Sequence, residues 1–363
     1  SVWFQGGSLI EAPGSKVSVT AYTPSVVSNQ APGQTAVPGR IYVDDGATID
    51  VSGLANVALP ISQTLVTIGR IGQNELADSP LLRNSFLFGL KGVVVDSTLS
   101  GTRSDGVQWV GSPILNLSGY VNLMPRTIDQ LLTNGGTITL SGNEVMTATG
   151  SSMNLNGGYV HYDGGMVNTT RLVDASGAIV PIGQASPYDT YVGIAGQFVE
   201  SHPRWGVTKT WYNPLLTGGT YQADYIVGGN AGTLDLFASQ ALVLDGDISA
   251  QAFGGAKQMQ GNSLPSGGTF NLGADPKLGS GALAGMTWNS AAYTTPPPIT
   301  AISGLTILQD DAPQLGALMP DFSIDTPLDR TASQALTSND PNNLLTTRVV
   351  PVTTLNNGGF ANL

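Results

Sequence analysis

Two histidines and no cysteine leave a short menu of chemistry for this chain of 363 residues. His161 stands in Tyr159-Val160-His161-Tyr162-Asp163, an alternating stretch. Period-two geometry puts it on one strand face with Asp163, so the spacing allows a histidine–carboxylate pair. An ordinary outward strand residue has the same spacing, and that reading is preferred. His202 precedes Pro203, which favours extended backbone, and it belongs to an aromatic-rich stretch that it would help to order. Without Cys, disulfides and thiolate metal sites are excluded, and no His pair has zinc spacing. No Gly-x-Ser-x-Gly elbow or phosphate-binding loop occurs. No catalytic residue, metal or cofactor is assigned.

Carboxylates are the remaining catalytic candidates. Acid/base cleavage of a glycosidic bond needs two carboxyl groups about 5–10 Å apart. Asp44, Asp45, Asp50, Asp245 and Asp247 are the candidates for such work. Asp44-Asp45-Gly46 and Asp245-Gly246-Asp247 also have the composition of tight turns, and turn formation is the preferred reading. Gly228-Gly229-Asn230-Ala231-Gly232 imitates the glycines of a calcium-binding nonapeptide without its aspartate. Calcium needs six or more converging oxygens and is not assigned.

The best site candidate is aromatic. Residues 188–225 hold eight of the chain's 25 aromatics (9 Phe, 5 Trp, 11 Tyr), about three times an even share. The candidate binding surface comprises Tyr188, Tyr191, Phe198, His202, Arg204, Trp205, Trp211 and Tyr212. Exposed Trp and Tyr rings stack on sugars or partner side chains. The same rings could instead form a satellite core anchoring the insertion to the body's flank. Both readings stand at this point.

What must position these residues is a β framework. Only 11% of residues are charged, against about 25% in ordinary soluble domains, while Gly supplies 47 positions. Gly supplies the positive φ of tight turns, and scarce Lys and Glu disfavour solvated helices. Short stretches recur with the form Gly, small or polar, apolar, any, apolar. Gly39–Val43, Gly136–Leu140, Gly232–Leu236 and Gly268–Leu272 are examples. Further alternating stretches follow: Ala47–Gly53; Glu144–Met146 and Ser152–Leu155; Ala241–Leu244 and Asp247–Ala250. Three strands per set of about 20 residues is solenoid arithmetic, because a single coil cannot bury its own apolar face. A Greek-key sandwich is the competing architecture. The expected fold is therefore all-β, a right-handed parallel β-helix with lateral insertions and one or two short helices.

Coils are expected over 1–59, 135–183 and 223–309. An insertion with coils and short helices is expected over 60–134, an aromatic-rich lateral insertion over 184–222, and an irregular segment over 310–363 leading into a further coil. Ser79-Pro80 has the composition of a helix start. Thr127 and Gln130 have capping-box spacing, with Gly135 as the stop. Both ends look uncapped, so the chain is expected to be a slice of a longer polypeptide or to have its ends covered by partners. Net charge −11 excludes a typical nucleic-acid binder, and no apolar run is long enough for a membrane span.

Several motifs resemble the large filamentous haemagglutinin-like exoproteins of Gram-negative two-partner secretion. They are Gly157–Val173, Tyr191-Val192-Gly193-Ile194-Ala195-Gly196-Gln197-Phe198, His202-Pro203-Arg204-Trp205-Gly206-Val207, Asn74–Pro80 and Ser118–Leu123. The resemblance covers roughly residues 40–260; the family's Asn-Pro-Asn-Gly type secretion motif is absent. It implies a long right-handed β-helix, export through an outer-membrane β-barrel transporter, and adhesive, fibre-like or biofilm roles at the cell surface or extracellular matrix. Surface glycans of host or bacterium, or further copies of the chain, are the implied partners. The expected function is thus a non-enzymatic adhesin or fibre component. A β-helical polysaccharide lyase or hydrolase is the alternative, and a trimeric phage tail fibre a third.

Overall fold

The computed structural model describes residues 1–21, 39–213, 218–261, 263–273, 306–308, 318, 322–326 and 348–362. Val2–Phe4 (β1), Leu9–Glu11 (β2) and Lys16–Ala21 (β3) come first, then Arg40–Val43 (β4), Thr48–Asp50 (β5) and Val57–Pro60 (β6). The chain then leaves this framework through Leu65–Ile68 (β7), Val93–Asp96 (β8), Ser100–Thr102 (β9) and Gln108–Val110 (β10), which pair as two antiparallel ribbons. It returns with Thr137–Thr147 (β11), Ser152–Asn154 (β12) and Tyr159–Asp163 (β13). A second excursion carries Gly165–Val167 (β14), Arg171–Asp174 (β15), Ile179–Pro181 (β16), Tyr191–Ile194 (β17), Gln197–His202 (β18), Val207–Tyr212 (β19) and Thr220–Gln222 (β20). All of these pair antiparallel. The remaining described strands are Tyr225–Gly228 (β21), Thr233–Leu244 (β22), Asp247–Ser249 (β23), Gly268–Leu272 (β24), Thr306–Leu308 (β25), Arg348–Pro351 (β26) and Phe360–Asn362 (β27).

The framework is parallel. On one side of β11 lie β3, along residues 137–142, and β4, along 144–147; on its other side β22 runs its full length. β24 and β26 continue beyond β22. A second sheet runs β2-β5-β12-β23, and a third joins β6 to β13 in parallel and β13 to β21 in antiparallel register. Parallel register without stagger stacks like on like. Val17, Ile138, Leu234 and Phe270 form one column, and Val19, Leu140, Leu236 and Leu272 another. Ile10, Ile49, Met153 and Ile248 form a third, on the second sheet. These columns meet in one apolar core, and their removal from water is the main stabilising term.

Two local features follow from this stacking. Glycine opens the alternating stretches because successive passes touch at that corner. A methyl on Gly136 would sit 1.9 Å from the Ser15 carbonyl oxygen, and one on Gly232 would sit 2.1 Å from that of Gly136. The stretches 136–140 and 144–146, expected as separate strands, are one strand with a bulge between Gly142 and Glu144. The register with β22 shifts there, and the inward set passes from Ile138 and Leu140 to Val145, so one apolar face continues through the break.

The lateral excursions, expected as separate insertions, share a second core. Val66, Ile68, Ile71, Leu76, Leu87, Val93, Val95 and Leu117 of the first pack with Leu172, Ile182 and Tyr191 of the second. Leu172 and Ile182 bring β15 and the turn after β16 into this lateral core, while Val167 of β14 packs with Ile61 and Tyr225 in a separate small cluster. Thr127 and Gln130 form the expected capping box, with the Gln130 amide donating to Thr127 Oγ1 at 3.2 Å and Thr127 N–H to Gln130 Oε1 at 2.8 Å. The helix it starts ends at Leu131, short of Gly135. Pro80–Asn84 is a 3₁₀ turn. Pro296–Pro298 and Asp310-Asp311 lie outside the described residues.

Candidate functional site

The aromatic candidates divide between hairpin and core. β18 and β19 pair from Gln197 opposite Tyr212 to His202 opposite Val207. Pro203–Trp205 makes the tip, and Gly206 closes it at φ +62°, a conformation that strains side-chain-bearing residues. Alternation puts Trp211, Lys209 and Val207 on one strand face, and all three are exposed. Trp205 is 71% exposed and Trp211 56%. The Trp205 ring lies 5.7 Å from that of His202, and Arg204 beside it is exposed. The side chains of Phe198 and Tyr212 lie outside the described residues.

Tyr191 goes elsewhere: it is 1% exposed and belongs to the lateral core. Its hydroxyl donates to the Ser186 carbonyl at 3.0 Å and accepts from the Ser186 amide at 2.7 Å, while burial pushes its phenol pKa up. Tyr188 is surface-exposed, and its hydroxyl donates to Asp105 Oδ2 at 3.1 Å. Asp105 is gripped by the Arg103 guanidinium, which holds its carboxyl below the usual carboxylate range. Tyr188 therefore ties the second excursion to the loop between β9 and β10. Surface and satellite core are thus both populated, by different residues of the set.

His161 does contact Asp163, with Nδ1 3.3 Å from Oδ1. Its Nε2 lies 3.3 Å from Asp224 Oδ2, a partner that sequence reading missed. Asp224 is 63 positions away, and only the antiparallel pairing of β13 with β21 brings it back. A carboxylate therefore stands at each ring nitrogen, on the exposed side of the strand. Three of the five candidate aspartates, Asp44, Asp50 and Asp245, serve the framework. Asp44 accepts from Trp3 Nε1 and from the amide of Asp45, and Asp50 accepts from Ser52 and Asn154. Asp245 accepts from the Leu318 amide. Among the described residues no group of three or more His, Asp or Glu side chains has an arrangement able to hold a metal ion.

No protein-family model, curated protein or solved structure matches the chain. Among the described residues no helix is long and apolar enough to cross a membrane.

One further group lies where the lateral body meets the framework. Lys257, on the short helix Ala256–Gln260, places Nζ 3.5 Å from the centre of the Tyr225 ring. Nζ is buried without a hydrogen-bond partner, and burial lowers its pKa. Tyr225 stacks on Tyr162 at 5.0 Å, and burial raises its phenol pKa. A cation on an aromatic face suits an anchor for the helix. Sequence reading had no signal for this, because the two residues are 32 positions apart in separate elements.

Proposed function

We propose that the chain is a secreted, non-enzymatic adhesin or extracellular fibre component of a Gram-negative bacterium, built as a right-handed β-helix that presents the β18–β19 hairpin laterally. The observation that carries this reading is the exposed hairpin face and tip, with Trp205, Trp211, Arg204 and Lys209, mounted on stacked parallel strands. Stacked ladders supply stiffness at little cost in charged surface. Exposed indoles beside cations supply stacking and ion pairing at the tip. Many such tips along a fibre would bind multivalently, so weak individual contacts suffice. The motif resemblance supports export by the two-partner route.

The test is binding of the purified chain to intact bacterial cells and to immobilised surface polysaccharides. Trp205→Ala with Trp211→Ala is expected to weaken binding at least tenfold with the circular dichroism spectrum and melting temperature unchanged. Unchanged binding would sink the hairpin as the contact. Electron micrographs of native material should show thin rods. A glycan-cleaving activity has one observation in its favour, His161 between two carboxylates. Release of reducing sugar from acidic polysaccharide, abolished by Asp163→Asn and Asp224→Asn, would replace the adhesin reading.

A further inference from the structure

Residues 69–92 connect β7 to β8 in the lateral body. A hairpin needs only a few residues for this, and a connection so long without strands of its own is usually functional. Its backbone is held in one shape. The ladder continues past the strands, with the Gly92 amide donating to the Ile68 carbonyl at 3.0 Å. The Ile71 amide donates to Leu90 and the Gly89 amide to Ile71, both at 2.8 Å. Between these bonds, successive turns join the Leu82 amide to Ser79, Ser85 to Leu82 and Phe88 to Ser85. Ile71, Leu76, Leu82 and Leu87 are buried in the lateral core. Three large apolar side chains are left outside: Leu81 is 70% exposed, Phe88 44% and Phe86 40%. Phe86 and Phe88 flank the buried Leu87, and Leu81 precedes the buried Leu82, so the inward neighbours fix the outward ones.

The charge this connection shows to solvent is positive. Arg70, Arg83 and Lys91 are exposed. Among the described residues none of the three has a carboxylate within ion-pair distance. Arg70 lies over Gly89, next to Phe88, with Nη2 3.9 Å from where a methyl on that glycine would sit. Arg83 Nη2 donates to the Ala77 carbonyl at 3.0 Å. The two acids of the connection are engaged by the body. Glu75 accepts from the Gly72 amide at 2.7 Å and the Tyr120 hydroxyl at 3.2 Å, and Asp78 accepts from Asn116 Nδ2 at 3.0 Å. Residues 61–134 and 165–222 together carry eight of the chain's 14 cations and eight of its 25 acids, so the net charge of −11 resides on the rest. An anionic surface therefore repels the framework and accepts this side of the molecule.

We propose that the 69–92 connection docks the chain onto an anionic lipid surface. Leu81, Phe86 and Phe88 enter the acyl boundary, and Arg70, Arg83 and Lys91 meet headgroup phosphates. Apolar tips with cations beside them are the make-up of interfacial membrane binding, which buries side chains only about 5–10 Å deep. A stable protein partner would need about 800 Å² on this side, more than three apolar side chains supply. The cations give attraction at a distance and the hydrocarbon gives retention, so both are needed. This site is separate from the β18–β19 hairpin and does not rest on the adhesin reading.

The purified chain is sedimented with vesicles of phosphatidylglycerol and phosphatidylcholine in equal parts, and with phosphatidylcholine vesicles alone. Binding to the first is expected to be about tenfold tighter or more, and to fall at about 1 M salt, where screening shortens to about 3 Å. Phe86→Ser with Phe88→Ser, and Arg70→Gln with Lys91→Gln, should each weaken it about tenfold with the melting temperature unchanged. No vesicle binding, equal binding to both vesicle types, or full binding by either double variant overturns the proposal. So does loss of vesicle binding in Trp205→Ala with Trp211→Ala alone, which would assign the contact to the hairpin. Binding to polygalacturonate and not to vesicles would assign the cations to a polysaccharide, and overturns it too. Should a double variant fail to fold, the absence of cysteine lets Leu81→Cys carry a polarity-sensitive dye at one position. Its emission should shift to the blue when anionic vesicles are added, while the same dye at Leu264→Cys, exposed on the framework, stays unshifted. An unshifted dye at position 81, or an equal shift at both positions, overturns the proposal.

Discussion

Asp245 shows how one carboxylate reads differently by position and by environment. Its place in Asp245-Gly246-Asp247 marks a turn, and its acidity makes it a catalytic candidate. In the structure it accepts from the Leu318 amide at 2.7 Å, and burial raises its pKa above the ordinary carboxylate value. A raised carboxyl pKa means that the charged form opposes folding. Below the unfolded-state value of about 3.9 the group is protonated in both states and the penalty is absent. As pH rises through the folded-state value, the penalty appears and then stays. Asp245→Asn keeps an acceptor for Leu318 and carries no charge. It should raise the melting temperature at pH 7 and leave it unchanged near pH 3. A lower melting temperature at pH 7 would show that the charge contributes favourably instead. Of the residue-scale features, His161 with Asp163 was legible because two positions on one strand share a face. Asp224 and the pairing of Lys257 with Tyr225 were not, because each contact is made between separate elements.

At the scale of elements, the recurring glycine was legible as a pattern and its cause was not. Sequence reading linked glycine in general to the positive φ of tight turns, yet Gly136 and Gly232, which open alternating stretches, have no positive φ. Their shared requirement is space, since a methyl on Gly136 would lie 1.9 Å from the Ser15 carbonyl oxygen. Gly7 is the converse: it has φ +77° and open space around a Cβ. Gly136→Ala must therefore push the neighbouring backbones apart, and overpacking of this kind costs about 1–3 kcal/mol or more. Gly7→Ala meets only local strain, about 1 kcal/mol. Urea titrations should rank the two in that order, and a reversed ranking would show that the corner yields. The bulge at Gly142–Glu144 was misread for a related reason. Ser141-Gly142-Asn143 has turn composition, and only strands paired on both sides, β22 on one and β3 and β4 on the other, keep β11 continuous through it.

At the scale of the molecule, scarcity of charge and stacked strands were legible together, because side chains pointing into a stack or forming its corners have no use for Lys or Glu. The lateral body was legible only as two insertions, since nothing along the chain links Val66–Leu117 to Leu172–Tyr191. Their joint burial is a tertiary event. It leaves the molecule with two large apolar cores, one of stacked parallel strands and one of antiparallel ribbons and loops. Apolar burial holds each core together internally, while the third sheet, β6-β13-β21, links their chain segments. Cooperativity is strongest within a shared core, so heating should melt the two bodies in separate steps. Leu140→Ala opens a cavity in the stacked core and Leu76→Ala one in the lateral core; each side chain is fully buried. Such truncations cost about 2–5 kcal/mol. Differential scanning calorimetry should resolve two transitions, with Leu76→Ala lowering one and Leu140→Ala the other. A single transition moved equally by both would show that the lateral body and the stack fold as one unit, and that insertions on this framework contribute to its stability rather than ride on it.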